Sequence, residues 1–140
     1  MSERLKQYCH GVVSTDAIDR GYGQVQDFLL SKQMPSGCSC IITNPPYKLA
    51  TEFILHTLSL LPDGGRCIMF LKTTFLEGEK RHRLLFNKYP PQKRILQFSK
   101  RVICAKNAEF QKMRKVGSAV SYAWFVWEKG YKGETTITWI

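Results

Sequence analysis

A short polar and aromatic corner follows an apolar run in the first half of the chain. The run from Cys38 to Ile42 is dominated by β-branched residues and has the length of a strand. The tetrapeptide Asn44-Pro45-Pro46-Tyr47 comes shortly after it and ends the strand, because proline has no N–H group for a ladder. The corner therefore lies at the carboxyl end of a strand, where open α/β sheets bind their ligands.

The groups of this corner suit the recognition of an NH2 group. Pro45 keeps Asn44 out of the α region, so we expect the side-chain carbonyl of Asn44 and the backbone carbonyl of Pro45 to converge. Two converging acceptors match the two N–H donors of an exocyclic amine, and they favour a nitrogen with a free lone pair. Tyr47 offers a flat face on which a planar substrate can stack. The alternative is a Pro-Pro turn that only ends a buried strand.

Asn44, Pro45, Pro46 and Tyr47 resemble the catalytic motif of S-adenosylmethionine-dependent amino-methyltransferases. This group includes adenine-N6 and cytosine-N4 DNA methyltransferases, some ribosomal RNA guanine methyltransferases and glutamine methyltransferases of release factors. The order of predicted elements from Val12 to Glu128 is also similar to the Rossmann-like methyltransferase fold, and it comes closest to short, phage-type adenine-N6 DNA methyltransferases. The resemblance implies methyl transfer from S-adenosylmethionine to an exocyclic amine, above all adenine N6 in DNA, without a metal ion.

The resemblance also implies a fold and a cofactor site. The fold is a single α/β domain over residues 1–140, with a mostly parallel sheet that has antiparallel C-terminal strands and lacks its first strand. Asp16 follows an early predicted strand, where a carboxylate suits a ribose diol, and Ile18 is close enough to contact an adenine ring. In the family, Asp27 would accept from the adenine amino group and the Phe28 N–H would reach a ring nitrogen. The alternatives are a turn-forming Asp16 and an Asp27 that caps a helix.

The positive charge of the chain is concentrated in one segment. The net charge is +10, and the segment from Lys72 to Lys115 holds 13 basic and three acidic residues, which accounts for the whole excess. Such segregation indicates a face that binds a polyanion, although a face that only aids solubility is the alternative. A duplex would require base flipping to bring its amine to the corner. The predicted nucleic-acid contacts are Lys72, Lys80, Arg81, Lys100, Arg101, Lys106, Lys112, Arg114 and Lys115.

The spacing of apolar residues predicts the remaining helices and strands. Two of the predicted strands at the end of the chain are expected to form a hairpin through the Gly130–Gly133 turn. Phe75 follows a central strand and is expected to line the target-base pocket, with a phenylalanine of the core as the alternative. The predicted helices are Ser2–Cys9, Leu49–Leu61 and Glu79–Tyr89, and the predicted strands are Val12–Thr15, Cys67–Leu71, Arg94–Phe98, Tyr122–Trp127 and Thr135–Ile140.

One departure from the family concerns the cofactor. The family begins with a strand and a Gly-rich loop that hold the methionine end of the cofactor, whereas about ten residues precede Val12 and no Phe-x-Gly-x-Gly motif occurs in this chain. We therefore expect impaired cofactor binding, and unpaired strand edges that a homo-oligomer would share. Two alternatives stay open: a non-catalytic nucleic-acid-binding remnant of the fold, and an amino-methyltransferase that acts on RNA or on a protein glutamine.

Composition indicates a cytoplasmic protein. Apolar residues make up 44% of the chain, no apolar run has transmembrane length, and the polar N-terminus does not resemble a signal peptide. The five cysteines have no metal-ligand spacing and are expected to be reduced.

Overall fold

The computed structural model describes residues 1–88, 93–102 and 120–140. It shows a mixed α/β protein with an open five-stranded sheet, and it divides the chain into two compact units, Met1–Cys38 and Ser39–Ile140. No helix in these described ranges is long and apolar enough to cross a bilayer.

The N-terminal unit contains little regular structure. Helix α1 spans Ser2–Leu5, and strand β1 (Thr15–Asp16) pairs in parallel with β2 (Gln24–Val25). A 3-10 helix follows at Phe28–Leu30. All residues of this unit are described and none of them is buried, so the unit has no hydrophobic core of its own.

The C-terminal unit is built on one sheet with the strand order β3-β4-β6-β5-β7. Strand β4 is parallel to β3, and β7 is parallel to β5, while β6 runs antiparallel to both of its neighbours. The carboxyl ends of four strands and the amino end of β6 therefore meet at one edge. The strands span Cys40–Thr43 (β3), Arg66–Lys72 (β4), Arg94–Gln97 (β5), Tyr122–Glu128 (β6) and Thr136–Trp139 (β7).

Short helical segments connect these strands. A 3-10 helix at Tyr47–Leu49 leads into helix α2, Ala50–Leu60, which joins β3 to β4. A second 3-10 helix, Thr73–Leu76, follows β4 directly. Helix α3, Glu79–Arg81, then continues as a π turn over His82–Phe86.

The core lies between α2 and one face of the sheet. Ala50, Ile54 and Leu58 recur every four residues and are buried on a single side of α2, which contacts β4. On the sheet, the alternate residues of β4 and β6 are buried, and the register pairs Met69 with Phe125. Phe75 extends this core, because its ring lies 6.0 Å from that of Phe125 in an edge-to-face arrangement.

The predicted hairpin at the end of the chain is wrong. Strand β7 pairs in parallel with β5 and does not contact β6 as a ladder neighbour. The reason is that β4 and β5 occupy both edges of β6, so no edge is left for the next strand along the chain. The expectation of several antiparallel C-terminal strands is corrected in the same way, since β6 is the antiparallel strand and β7 runs with the others.

Most element boundaries differ from the predictions by one or two residues, and three elements differ by more. The early strand begins at Thr15 rather than Val12, and α1 ends at Leu5 rather than at Cys9. The α-helical part of the predicted Glu79–Tyr89 helix ends at Arg81 and gives way to the π turn. Tyr89 itself lies outside the described residues.

Candidate active site at the carboxyl edge of the sheet

The Asn44–Tyr47 corner lies directly after β3, at the edge where the carboxyl ends of the strands meet. Pro45 is buried and anchors the corner, whereas Asn44 is exposed. In the part of the chain that the structure describes, the Asn44 side chain makes no hydrogen bond. The N–H of Leu49 donates to the Pro46 carbonyl at 2.8 Å and closes the following turn. The amide of Asn44 is therefore exposed at the carboxyl end of β3, and its polar atoms are open to a ligand.

The side chain of Tyr47 forms one wall of an open pocket of about 110 Å³. Ligand pockets are usually about 300–1,000 Å³, so this one suits a single small group rather than a whole cofactor. Asn44 precedes this wall by three residues and does not line the pocket itself. The lining residues are Tyr47, Ala50, Leu71, Lys72, Thr74, Phe75 and Arg81.

Lys72 is the basic residue that lies closest to the corner in this pocket. It is the last residue of β4, and the parallel pairing of β3 with β4 brings their carboxyl ends together. The Lys72 ammonium group lies 5.3 Å from the centre of the Tyr47 ring, within the range of a cation–π interaction. Tyr47 is therefore oriented by a cation, which also gives the pocket a positive charge.

Arg81 braces the opposite wall of the pocket. Its Nε donates to the Phe75 carbonyl at 2.8 Å, its Nη2 donates to the Thr74 carbonyl at 3.3 Å, and its guanidinium lies 5.1 Å from the Phe75 ring centre. The Phe75 carbonyl gains a partner in this way, whereas the Thr74 carbonyl also accepts from the Glu77 N–H at 3.1 Å. Gly78 allows the approach, because a Cβ there would lie 2.8 Å from Nη2 of Arg81. Sequence reasoning assigned Arg81 to phosphate contact and missed this brace.

A row of aromatic rings connects the corner with the middle of the sheet. The Tyr47 ring lies 6.0 Å from that of Tyr122, and the Tyr122 ring is stacked on Phe70 at 5.2 Å with only 8° between the planes. Phe70 in turn contacts Trp124 and Phe98 edge to face. Tyr122 was missed from the sequence, although the signal exists: an antiparallel strand places its first residue at the carboxyl edge of its parallel neighbours.

A second cavity, of about 220 Å³, opens at the same edge beyond Tyr122. Lys100 and Arg101 line it and are exposed. Gln97 fixes its base, because its Nε2 donates to Ser121 Oγ at 3.2 Å. The other lining residues are Phe98, Ser99, Val102 and Tyr122.

The predicted nucleic-acid contacts are thus only partly brought together. Lys72 and Arg81 line the first cavity, Lys100 and Arg101 line the second, and Lys80 is exposed on α3. The remaining four, Lys106, Lys112, Arg114 and Lys115, lie outside the described residues.

The predicted adenosine contacts of the N-terminal unit serve local turns. Asp16 accepts from the Ile18 N–H at 3.0 Å and from Arg20 Nε at 2.9 Å, and the Ile18 N–H is the main cause that lowers the pKa of Asp16. The Ile18 side chain is 61% exposed. Asp27 caps the next 3-10 helix by accepting from the Leu29 N–H at 2.9 Å, and Phe28, the first residue of that helix, is half-buried.

These residues fit S-adenosylmethionine only in part. A ribose would compete with Ile18 and Arg20 for the Asp16 carboxylate, and an adenine amino group would compete with the helix cap at Asp27. The sequence has no Gly-rich loop for the methionine end. Among the described residues, no group of three or more His, Cys, Asp or Glu side chains is arranged to hold a metal ion.

No family model matches the chain, and no curated protein has significant sequence similarity to it.

Proposed function

We propose that the chain belongs to the S-adenosylmethionine-dependent amino-methyltransferases and transfers a methyl group to an exocyclic amine, above all adenine N6 in DNA. The observation that carries the proposal is the corner itself. Asn44 is exposed with an unoccupied amide at the carboxyl end of β3, and Tyr47, three residues later, lines a pocket that also holds Lys72.

In this proposal the corner acts on the amine of the substrate. The carbonyl groups of Asn44 and Pro45 accept the two amine hydrogens, which leaves the nitrogen lone pair free to attack. Tyr47 stacks on the base, held in its orientation by Lys72. S-adenosylmethionine supplies the activated methyl group when bound. In that transfer the N–C bond would form as the S–C bond of the sulfonium breaks, S-adenosylhomocysteine would leave, and the amine would release one proton to water at this open edge. Most of the rate gain comes from proximity and from charge placement.

The sheet supports a Rossmann-like fold as part of the proposal. Strands β3 and β4 are parallel and are joined by α2, which is the βαβ unit expected on either side of the motif. The antiparallel β6 follows late in the chain, as the resemblance implies. The exposed Lys80, Lys100 and Arg101 support a nucleic-acid substrate. We also propose that the protein acts in the cytoplasm.

A non-catalytic nucleic-acid-binding protein is the second candidate. It is favoured by the local hydrogen bonds that already engage Asp16 and Asp27. Under this alternative, the basic residues at the sheet edge retain their role while the corner is only a turn.

Calorimetric titration with S-adenosylmethionine separates the two candidates. Methyl transfer requires binding at millimolar cofactor or below, so the absence of any heat of binding at that concentration would remove the catalytic proposal. Transfer of a radiolabelled methyl group to DNA, to RNA and to a glutamine peptide then identifies the acceptor.

The variant Asn44→Ala tests the role of the corner. Transfer should fall by about two to three orders of magnitude, the usual cost of losing one group that stabilises developing charge. The free energy of unfolding should change by less than about 0.5 kcal/mol, because the side chain is exposed and has no hydrogen bond in the described part of the chain. DNA affinity should be nearly unchanged.

Asn87→Ala is the matched control, since Asn87 is also exposed but lies beyond the π turn. Full activity in both variants would show that Asn44 has no part in the reaction. A DNA affinity that is weak and insensitive to salt would instead favour a protein glutamine as the acceptor.

A further inference from the structure

Strand β7 forms an exposed edge of the sheet and carries large apolar side chains. Ile137 is 53% exposed and Trp139 is 67% exposed, and Ile140, which follows the strand, is 50% exposed. No charged residue occurs from Thr135 to Ile140. Natural edge strands are usually protected by lysine, proline or a bulge, and β7 has none of these.

Within the part of the chain that the structure describes, two residues of β7 direct their backbone groups away from β5 and leave them unpaired. The N–H groups of Thr136 and Ile140 donate towards β5, to the carbonyls of Lys93 and Gln97. Because successive residues of a strand point in opposite directions, the N–H and C=O groups of Ile137 and Trp139 point away from β5. The same two residues carry the large apolar side chains of the strand, and both side chains are exposed.

We propose that β7 pairs with β7 of a second copy of this chain, antiparallel and centred on Thr138. In this register Ile137 of one copy lies opposite Trp139 of the other, and their outward N–H and C=O groups form two symmetric hydrogen-bonded pairs. Thr138 faces its own counterpart across the two-fold axis. The two five-stranded sheets then become one continuous sheet.

Self-complementarity is the reason for choosing a second copy as the partner. The edge has no charge to recognise nucleic acid or an acidic peptide, and an aromatic residue opposite a β-branched one is a favourable cross-strand pair. A two-fold axis forms that pair twice from one short segment. The other edge strand, β3, is less suited, because Ile41 and Ile42 are already half-buried.

The expected dimer is weak and depends on concentration. A Trp buries about 150–250 Å² at most, so two copies of this edge stay below the roughly 1,200 Å² of a stable interface. Sedimentation equilibrium over a concentration series up to the order of 1 mM is the measurement.

Charge reversal at the two-fold axis tests the register. Thr138 is exposed, so Thr138→Lys and Thr138→Glu should each fold normally by circular dichroism and urea unfolding. Each variant alone places like charges opposite each other, and its dimer should dissociate at least about tenfold more readily. An equimolar mixture of the two should recover the wild-type dissociation constant or a tighter one.

Ser59→Lys and Ser59→Glu provide the matched controls, because Ser59 is exposed on α2 and the charge changes are the same. Neither should alter the dissociation constant, alone or mixed. The proposal is overturned if the wild-type chain stays monomeric throughout the series. It is equally overturned if the Thr138 variants dimerise like the wild type, or if their mixture fails to recover the dimer.

Discussion

Arg81 offers the sharpest test of how the candidate pocket is held together. The change is Arg81→Met, which keeps most of the length and the apolar stem of the side chain but removes the guanidinium. That group donates to the Phe75 carbonyl at 2.8 Å and to the Thr74 carbonyl at 3.3 Å, and it lies 5.1 Å from the Phe75 ring.

The magnitude follows from these three contacts. A charge-assisted hydrogen bond of good length contributes about 1.5 kcal/mol at the lower end of its range, which applies because Arg81 is half-buried. The longer bond adds less, and a cation–π contact at a half-exposed site adds about 0.5 kcal/mol. Together we expect Arg81→Met to lower the free energy of unfolding by about 2 kcal/mol. Arg81→Lys, which reaches one carbonyl at a time, should cost about half as much.

Urea unfolding followed by tryptophan fluorescence measures this loss. Arg83→Met is the control, because Arg83 lies two residues away and is exposed, so its replacement should cost less than about 0.5 kcal/mol. If Arg81→Met and Arg83→Met lose equally little, Arg81 is not a brace, because the Glu77 N–H suffices for the Thr74 carbonyl and water for the Phe75 carbonyl.

Two further changes test neighbouring contacts. Gly78→Ala should lower the free energy of unfolding by about 1–3 kcal/mol, since Gly78 has a φ of +126° and the new Cβ would meet Arg81. This loss should be smaller in an Arg81→Met background. An equal loss in both backgrounds would contradict the proposed clash. Glu128→Gln should lower the urea midpoint at neutral pH, because Lys93 holds the pKa of Glu128 below its ordinary value of 4.5. A carboxylate with a lowered pKa stabilises the fold above that value and loses its effect as the pH falls through its folded pKa, so the difference from the wild type should disappear in acid. A difference that persists there would assign the effect to packing.

The elements next to the corner could be predicted because their signals are local. The run before Asn44 forms β3, the pattern of Leu49–Leu61 forms α2 at Ala50–Leu60, and the wholly apolar Cys67–Leu71 lies inside β4. Apolar periodicity predicts α2 and β4, and the two prolines mark the end of β3. Both signals lie within the element itself and do not depend on which elements it contacts in the fold.

The partner of β7 could not be predicted in this way. The glycines of the Gly130–Gly133 turn and the apolar run after it are typical of a hairpin. Whether a hairpin forms depends on whether β6 has a free edge, and that edge is filled by β5, about thirty residues earlier in the chain. The competition between strands for one edge leaves no local trace in the sequence.

Some roles of single side chains could also be predicted from local sequence, and others depend on the fold. The cap at Asp27 was open to prediction as an alternative, because an Asp before an apolar turn is a known helix start. The brace by Arg81 was not, since a basic helix offers many cations and only the fold decides which one turns back to a carbonyl.

The central position of β6 has a consequence for how the chain folds. Its ladder with β4 joins residues such as Ile68 and Val126, which are far apart in sequence. The longest pairing in the sheet therefore cannot form until the chain has been synthesised as far as β6. Closing such a long loop costs conformational entropy, and proteins that are rich in long-range pairing therefore fold slowly. Until β6 arrives, a nascent β3–α2–β4 unit leaves one edge of its most apolar strand, β4, without a partner, and we expect the risk of aggregation to be greatest in that interval.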